Sequence, residues 1–155
     1  MCNATVTVEV SDPKLVSVPE AKREAASLGL DAAETQELVS AAAAQQINTH
    51  NWTHTYWGGS IVEKHVGRTF FNGTHAWIAS AGSPGYHVCH SEGSWAAGFS
   101  ITQHECTQPG ASSSVDAHYR FDVSAAYQGS PVSFTVGLHW VCDRFGNYSA
   151  YQVGG

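Results

Sequence analysis

The sequence predicts a mainly β fold: an antiparallel β-sandwich or barrel, stapled by disulfides and preceded by a strand-forming arm and a short αα-hairpin. Three observations carry that expectation. All five Trp, six Tyr and six Phe lie between Trp52 and Tyr151, where apolar and polar residues alternate between Gly- and Asn-containing turns. Helix-forming residues cluster instead before Asn48. The four cysteines, Cys2, Cys89, Cys106 and Cys142, are even in number and contain no C-x-x-C pair, which favours structural bridges over a zinc ribbon or a thioredoxin-like motif.

Taken in order, residues 1–17 read as the arm. Val6, Val8 and Val10 alternate with Thr5, Thr7 and Glu9, the period of a half-buried strand, and Asp12-Pro13 breaks the run. Residues 18–48 read as a helical hairpin. Ser17 and Glu20 have capping-box spacing, and Gly29 stands where a helix C-terminus needs positive φ, so a helix is expected over 18–28. Asp31 and Glu34 repeat the box and open an Ala-rich helix to about Gln46, with Leu38, Val39, Ala42 and Ala43 on one face.

Residues 49–155 read as the β domain. Asn72-Gly73, between Arg68–Phe71 and Thr74–Ile78, predicts a tight hairpin with a type I′ turn. Ala117, Tyr119, Phe121 and Val123 alternate with Asp116, His118, Arg120 and Asp122. A second run sets Val132, Phe134, Val136, Leu138 and Trp140 against Ser133, Thr135 and His139. Gln128-Gly129-Ser130-Pro131 turns the chain between them, so the two are expected to pair antiparallel. Arg144–Asn147 turns it again into Tyr148–Val153, and residues 107–115 read as a loop.

Composition narrows the function classes. Charged residues make up 13% of the chain and the formal charge is -6 without any basic run, against the ~25% charged of ordinary soluble domains. Nucleic acid, whose binding rests on neutralised phosphates, is therefore not an expected partner. No stretch approaches the ~18 apolar residues of a membrane-spanning helix. Low charge, paired cysteines and N-x-S/T sequons at Asn3, Asn51, Asn72 and Asn147 together predict an extracellular, secreted protein and a possible glycoprotein, its export signal already removed.

Nine histidines invite a metal reading, with His87-Val88-Cys89 and His104-Glu105-Cys106 as candidate ligand dyads. An antiparallel ladder with Cys89 opposite Cys106, however, sets His87 opposite Gln108 and His104 opposite Ser91, so the histidines diverge where the cysteines meet. The expectation is a Cys89–Cys106 disulfide closing a hairpin, a second bridge between Cys2 and Cys142, no metal and no cofactor. Neither a G-x-S-x-G elbow nor a phosphate-binding Gly-rich loop is present, and no catalytic residues are assigned.

What remains is surface chemistry. Trp52, His54, Tyr56 and Trp57 form the candidate binding residues, Trp52 and Tyr56 on one strand face and Trp57 on the other, with rings for area and polar neighbours for direction. The leading expectation is a non-enzymatic binding or assembly module that contacts a protein partner, or associates with itself, through the N-terminal arm. An extracellular glycan stacked on exposed Trp and Tyr is the alternative. A secreted hydrolase or toxin with a His-centred site, tested at His54 and His118, is the third.

Overall fold

The computed structural model describes residues 5–58, 60–79, 86–127 and 130–154. Ten strands and two helices follow in the order β1 (Thr5–Val10), β2 (Lys14–Leu15), α1 (Val18–Leu28), α2 (Ala32–Ala43), β3 (Asn48–Trp57), β4 (Ile61–Phe71), β5 (Ala76–Ile78), β6 (Trp95–Ala96), β7 (Ser100–Thr107), β8 (Ser114–Tyr127), β9 (Ser130–Asp143) and β10 (Tyr148–Gly154). They form two antiparallel sheets, β1-β3-β4-β5 with β2 and β6 attached, and β10-β9-β8-β7. The architecture is sandwich-like.

The second sheet follows from alternation. Ala117, Tyr119, Phe121 and Val123 of β8 meet Trp140, Leu138, Val136 and Phe134 of β9 in register, and all but Phe134 are fully buried. Gln128 and Gly129, the centre of the expected turn, lie outside the described residues.

In the first sheet, Val6, Val8 and Val10 of β1 pair with Tyr56, His54 and Trp52 of β3. The arm's strand thus completes its own chain's sheet. Trp52 pairs with Gly67 of β4, and a Cβ at Gly67 would lie 2.3 Å from the Trp52 ring. Only glycine lets that indole lie across the strand. From there Trp52 stacks on Trp140 of the opposite sheet, ring centroids 4.5 Å apart.

Both helices begin at side-chain caps, Ser17 accepting from the Glu20 amide and Asp31 from the Glu34 amide. Gly29, at φ +68°, closes α1. The second helix stops three residues short of the expected Gln46. Gln45 turns left-handed at φ 57°, and the Gln45 and Gln46 amides donate back to Ala42 and Ala41, a Schellman closure. The pair covers the outer side of the first sheet, where Ala21 and Ala42 pack with Val16, Ile47, Phe70 and Trp77. Arg68 anchors it, reaching Glu20 at 2.6 Å.

Two local expectations are corrected. Phe71 pairs with Ala76, so the hairpin at Asn72-Gly73 has a four-residue loop instead of a type I′ turn. The Asn72 side chain causes this by accepting from the Thr74 and His75 amides at 2.9 and 2.7 Å, an Asx turn. The Cys89–Cys106 disulfide is present, with Cα atoms 6.0 Å apart, but it does not close a hairpin. Cys106 sits opposite Tyr119 in the second sheet, while Cys89 follows Val88, which bridges to Val66 of the first. The bond joins the two sheets. Cys142 carries a free, buried thiol, and Cys2, its expected partner, lies outside the described residues.

Candidate functional site

The four candidate binding residues divide by strand parity. Trp52, His54 and Tyr56 face the opposite sheet and are 2% exposed or less, so they form no ligand-stacking surface. Trp57 faces outward, 44% exposed, its indole N–H donating to Thr7 Oγ1 at 2.8 Å. Beside it in register comes Val62 of β4, and beside Val62 comes Trp95 of β6. Trp95 is 51% exposed. Two tryptophans therefore share one face, two strand spacings or roughly 9.5 Å apart. Trp95 is missed by periodicity because it stands alone in a Gly/Ser stretch. A large ring there without an alternating partner is the signal that marks it.

Between the sheets lies a polar cluster. His54 and His65 are direct cross-strand partners on β3 and β4, both fully buried. His87 comes from the segment before Cys89, its Nε2 lying 2.5 Å from His65 Nε2 and 3.7 Å from Cys89 Sγ. Glu63 Oε1, also fully buried, accepts from Tyr119 Oη and from His90 Nδ1, each at 2.7 Å. Burial and that carboxylate push the Tyr119 phenol far above its usual range. Among the described residues, Glu63 Oε2, both nitrogens of His54 and Nδ1 of His65 are buried without a hydrogen-bond partner.

Burial acts on their protons. It pushes His54 and His87 down to about 4, assisted by the charges of His139 and His118 respectively. His65 is held well below its ordinary value by burial, then by His87 and His54. All three are neutral near pH 7, the form that offers a bare nitrogen lone pair. His65, His87 and Cys89 are the described residues whose ligand atoms converge within 4.8 Å. The sequence pairing of His87 with Cys89 is thus brought together with His65, and the His104 dyad is not.

On the outer face of the second sheet the histidines behave differently. His118 and His139 are cross-strand partners, their rings stacked at 4.1 Å, and Tyr151 continues the stack at 4.6 Å from His139. Each has a carboxylate: Glu105 lies 3.2 Å from His118 Nδ1, Asp116 2.9 Å from His139 Nδ1, and Asp122 2.5 Å from His104 Nε2. His54 and His118 lie on opposite faces of the fold's layers. Among the described residues no hydrogen bond joins either to a Ser, Thr or Cys side chain.

An open groove of about 1160 Å³ runs between α2 and the loops at 72–75 and 108–111, with Leu38, Ala41, Trp77 and Pro109 in its walls. Its lining is mixed, with Glu34 and Glu37 on the α2 side beside the apolar residues, and nothing among them singles out one ligand class.

The edges of the second sheet contrast. At one end, β7 carries Glu105 and His104 and a register break between Gln103 and Glu105. At the other, β10 pairs only with β9 among the described residues and contains no charged residue. Tyr148, Tyr151 and Val153 on it, and Phe145 in the preceding turn, are 44–60% exposed. Asp143 shapes that turn by accepting from the Phe145 and Asn147 amides. No helix of the described residues is long and apolar enough to cross a membrane.

Comparison with known proteins leaves these features to speak for themselves: no family model matches the chain, and neither does any curated protein or solved structure.

Proposed function

We propose that the protein is a secreted, non-enzymatic contact module that associates with a second copy of itself through the free edge of β10. The observation that supports this reading is the unprotected edge. Sheet edges normally carry charges, bulges or covering elements that block strand addition. The β7 edge has both of the first two, and β1 carries Glu9, whereas β10 has none of them among the described residues. Antiparallel pairing of β10 with its copy about a twofold near Tyr151 brings Tyr151 against Tyr151 and covers exposed apolar area on both chains, an isologous contact. The low charge and the inter-sheet disulfide favour an extracellular setting.

Because β1 pairs inside its own sheet, the association is assigned to β10 instead of the arm. Sedimentation equilibrium of the full chain, alone and as Tyr151→Lys and Val153→Lys, tests the reading. A concentration-dependent dimer is expected, lost in both variants with circular dichroism unchanged. A monomer throughout, or a dimer indifferent to both substitutions, rejects it. Deleting residues 1–12 is expected to unfold the chain, since Val6, Val8 and Val10 leave the core.

A second reading rests on the Trp57–Val62–Trp95 row: a glycan-binding face, in which the two indoles stack on sugar rings along one chain. It replaces the surface expected of Trp52, His54 and Tyr56. Binding to a glycan array that disappears in both Trp57→Ala and Trp95→Ala supports it. Binding to no glycan, or binding unchanged in the two variants, excludes it.

A further inference from the structure

The inner histidines converge on the disulfide, and this arrangement has a use that a simple staple does not require. We propose that zinc and the Cys89–Cys106 bond are alternative occupants of one position. With the bond open, His65 Nε2, His87 Nε2 and the Cys89 thiolate bind a zinc ion, and the Cys106 thiolate completes a tetrahedron.

The distances support this. Zinc bonds of about 2.0–2.1 Å to nitrogen and 2.3 Å to sulfur set tetrahedral N···S separations near 3.6 Å and N···N separations near 3.3 Å. His87 Nε2 already lies 3.7 Å from Cys89 Sγ. The two imidazole nitrogens, at 2.5 Å, have to part by about 0.8 Å to reach that spacing. Cys106 starts in covalent contact with Cys89, so on release its sulfur is the nearest further donor.

The unpartnered nitrogens are a second, independent sign. A buried polar atom without a partner has given up its hydrogen bonds to water for nothing, and the cluster holds three such atoms on His54 and His65. With His65 Nε2 on the metal, its Nδ1–H needs an acceptor. His54, ring centroid 6.0 Å away with both nitrogens unpaired, is placed to supply one as an outer-shell partner. Two thiolates and two imidazoles are a donor set suited to zinc.

The step balances. A phosphine reductant delivers two electrons to the disulfide and takes the oxygen of one water, whose two protons end on the sulfurs as two thiols. The zinc dication then displaces both thiol protons to solvent. Oxidised protein cannot bind in this way, because a disulfide sulfur is not a thiolate.

The test titrates zinc alone into metal-free, full-length protein, oxidised and phosphine-reduced, and measures retained metal after desalting. One zinc per reduced chain is expected and none per oxidised chain. Cobalt substituted for zinc should show a sulfur-to-metal charge-transfer band. His87→Asn and His65→Asn should each weaken binding by more than the roughly tenfold to hundredfold that loss of an outer-shell partner costs, while Cys142→Ser leaves it unchanged. If reduction unfolds the chain, zinc is expected to restore its circular dichroism. A reduced chain that retains no zinc or does not refold with it overturns the proposal. So does an oxidised chain that retains as much, or binding that depends on Cys142 and not on His65 and His87.

Discussion

Four histidines are buried inside the sandwich, His50, His54, His65 and His87, three stand on its outer face, and physically the two sets have little in common. His104, His118 and His139 stand on the open side of the second sheet, each against a carboxylate. Their spacing is that of any polar-face residue, and their partners come from neighbouring strands. His54, His65 and His87 lie between the sheets, where burial strips their protons and leaves His54 wholly, and His65 partly, without hydrogen bonds. The outer set satisfies itself. The inner set costs the fold stability, since each neutral imidazole is held away from water with unpartnered nitrogens among its members.

The largest expected effect separates the two sets by acid. A histidine whose folded pKa lies below its unfolded value binds fewer protons in the folded state, so stability falls as pH drops from the unfolded value toward the folded one. For His54 and His87 that window runs from 6.5 down to about 4. Each contributes a slope of roughly 1.4 kcal/mol per pH unit at most. Urea unfolding of the oxidised, metal-free chain across this range is expected to show the loss, with a shallower slope in His54→Gln and an unaltered one in His104→Gln. A flat profile, or a slope that vanishes with His104, breaks the distinction.

Glycine substitution sharpens it sterically. Gly67 faces Trp52 between the sheets, and a Cβ there meets the ring at 2.3 Å; at Gly137, on the outer face, the nearest atom is His118 Nε2 at 3.4 Å. Gly67→Ala is expected to cost about 1–3 kcal/mol by overpacking. Gly137→Ala should fall within about 0.5 kcal/mol of wild type. Thermal denaturation of both variants checks the pair, and equal losses would mean that the inner face is no more tightly packed than the outer.

The smallest effect lies in the outer pairs. Removing the His139–Asp116 contact by Asp116→Asn is expected to cost between about 0 and 1 kcal/mol, as for other solvent-exposed ion pairs, and less as salt is added. Denaturant midpoints at low and high ionic strength measure it. A larger loss, insensitive to salt, would show that the outer histidines are structurally coupled to the core.

How much of this was legible depended on whether the cause was local. Ser17, Gly29 and Asp31 announce helix ends because capping is settled within four residues. The strands β8 and β9 announce themselves because their inner positions are all apolar. By contrast, β4 escapes most of the reading: its inner positions include Glu63, His65 and Gly67, which break the apolar alternation. The hairpin at Asn72 was visible but its turn was not, because Asn-Gly suits two loop geometries and the side-chain acceptor decides between them. His65 could not be joined to His87 from sequence, since the segment carrying His87 reaches the cluster only through the bridge from Val88 to Val66. Likewise, the exposed edge of β10 depends on which strand ends the sheet, a property of topology and not of the residues in the strand.

The stacked indoles of Trp52 and Trp140 belong to different sheets, so the molecule contains an optical ruler for the gap between them. Their near-ultraviolet transitions couple through space with a strength that falls steeply with separation, so any event that parts the layers weakens the coupling. Sheet separation is therefore readable by spectroscopy from the native chain, with no added label.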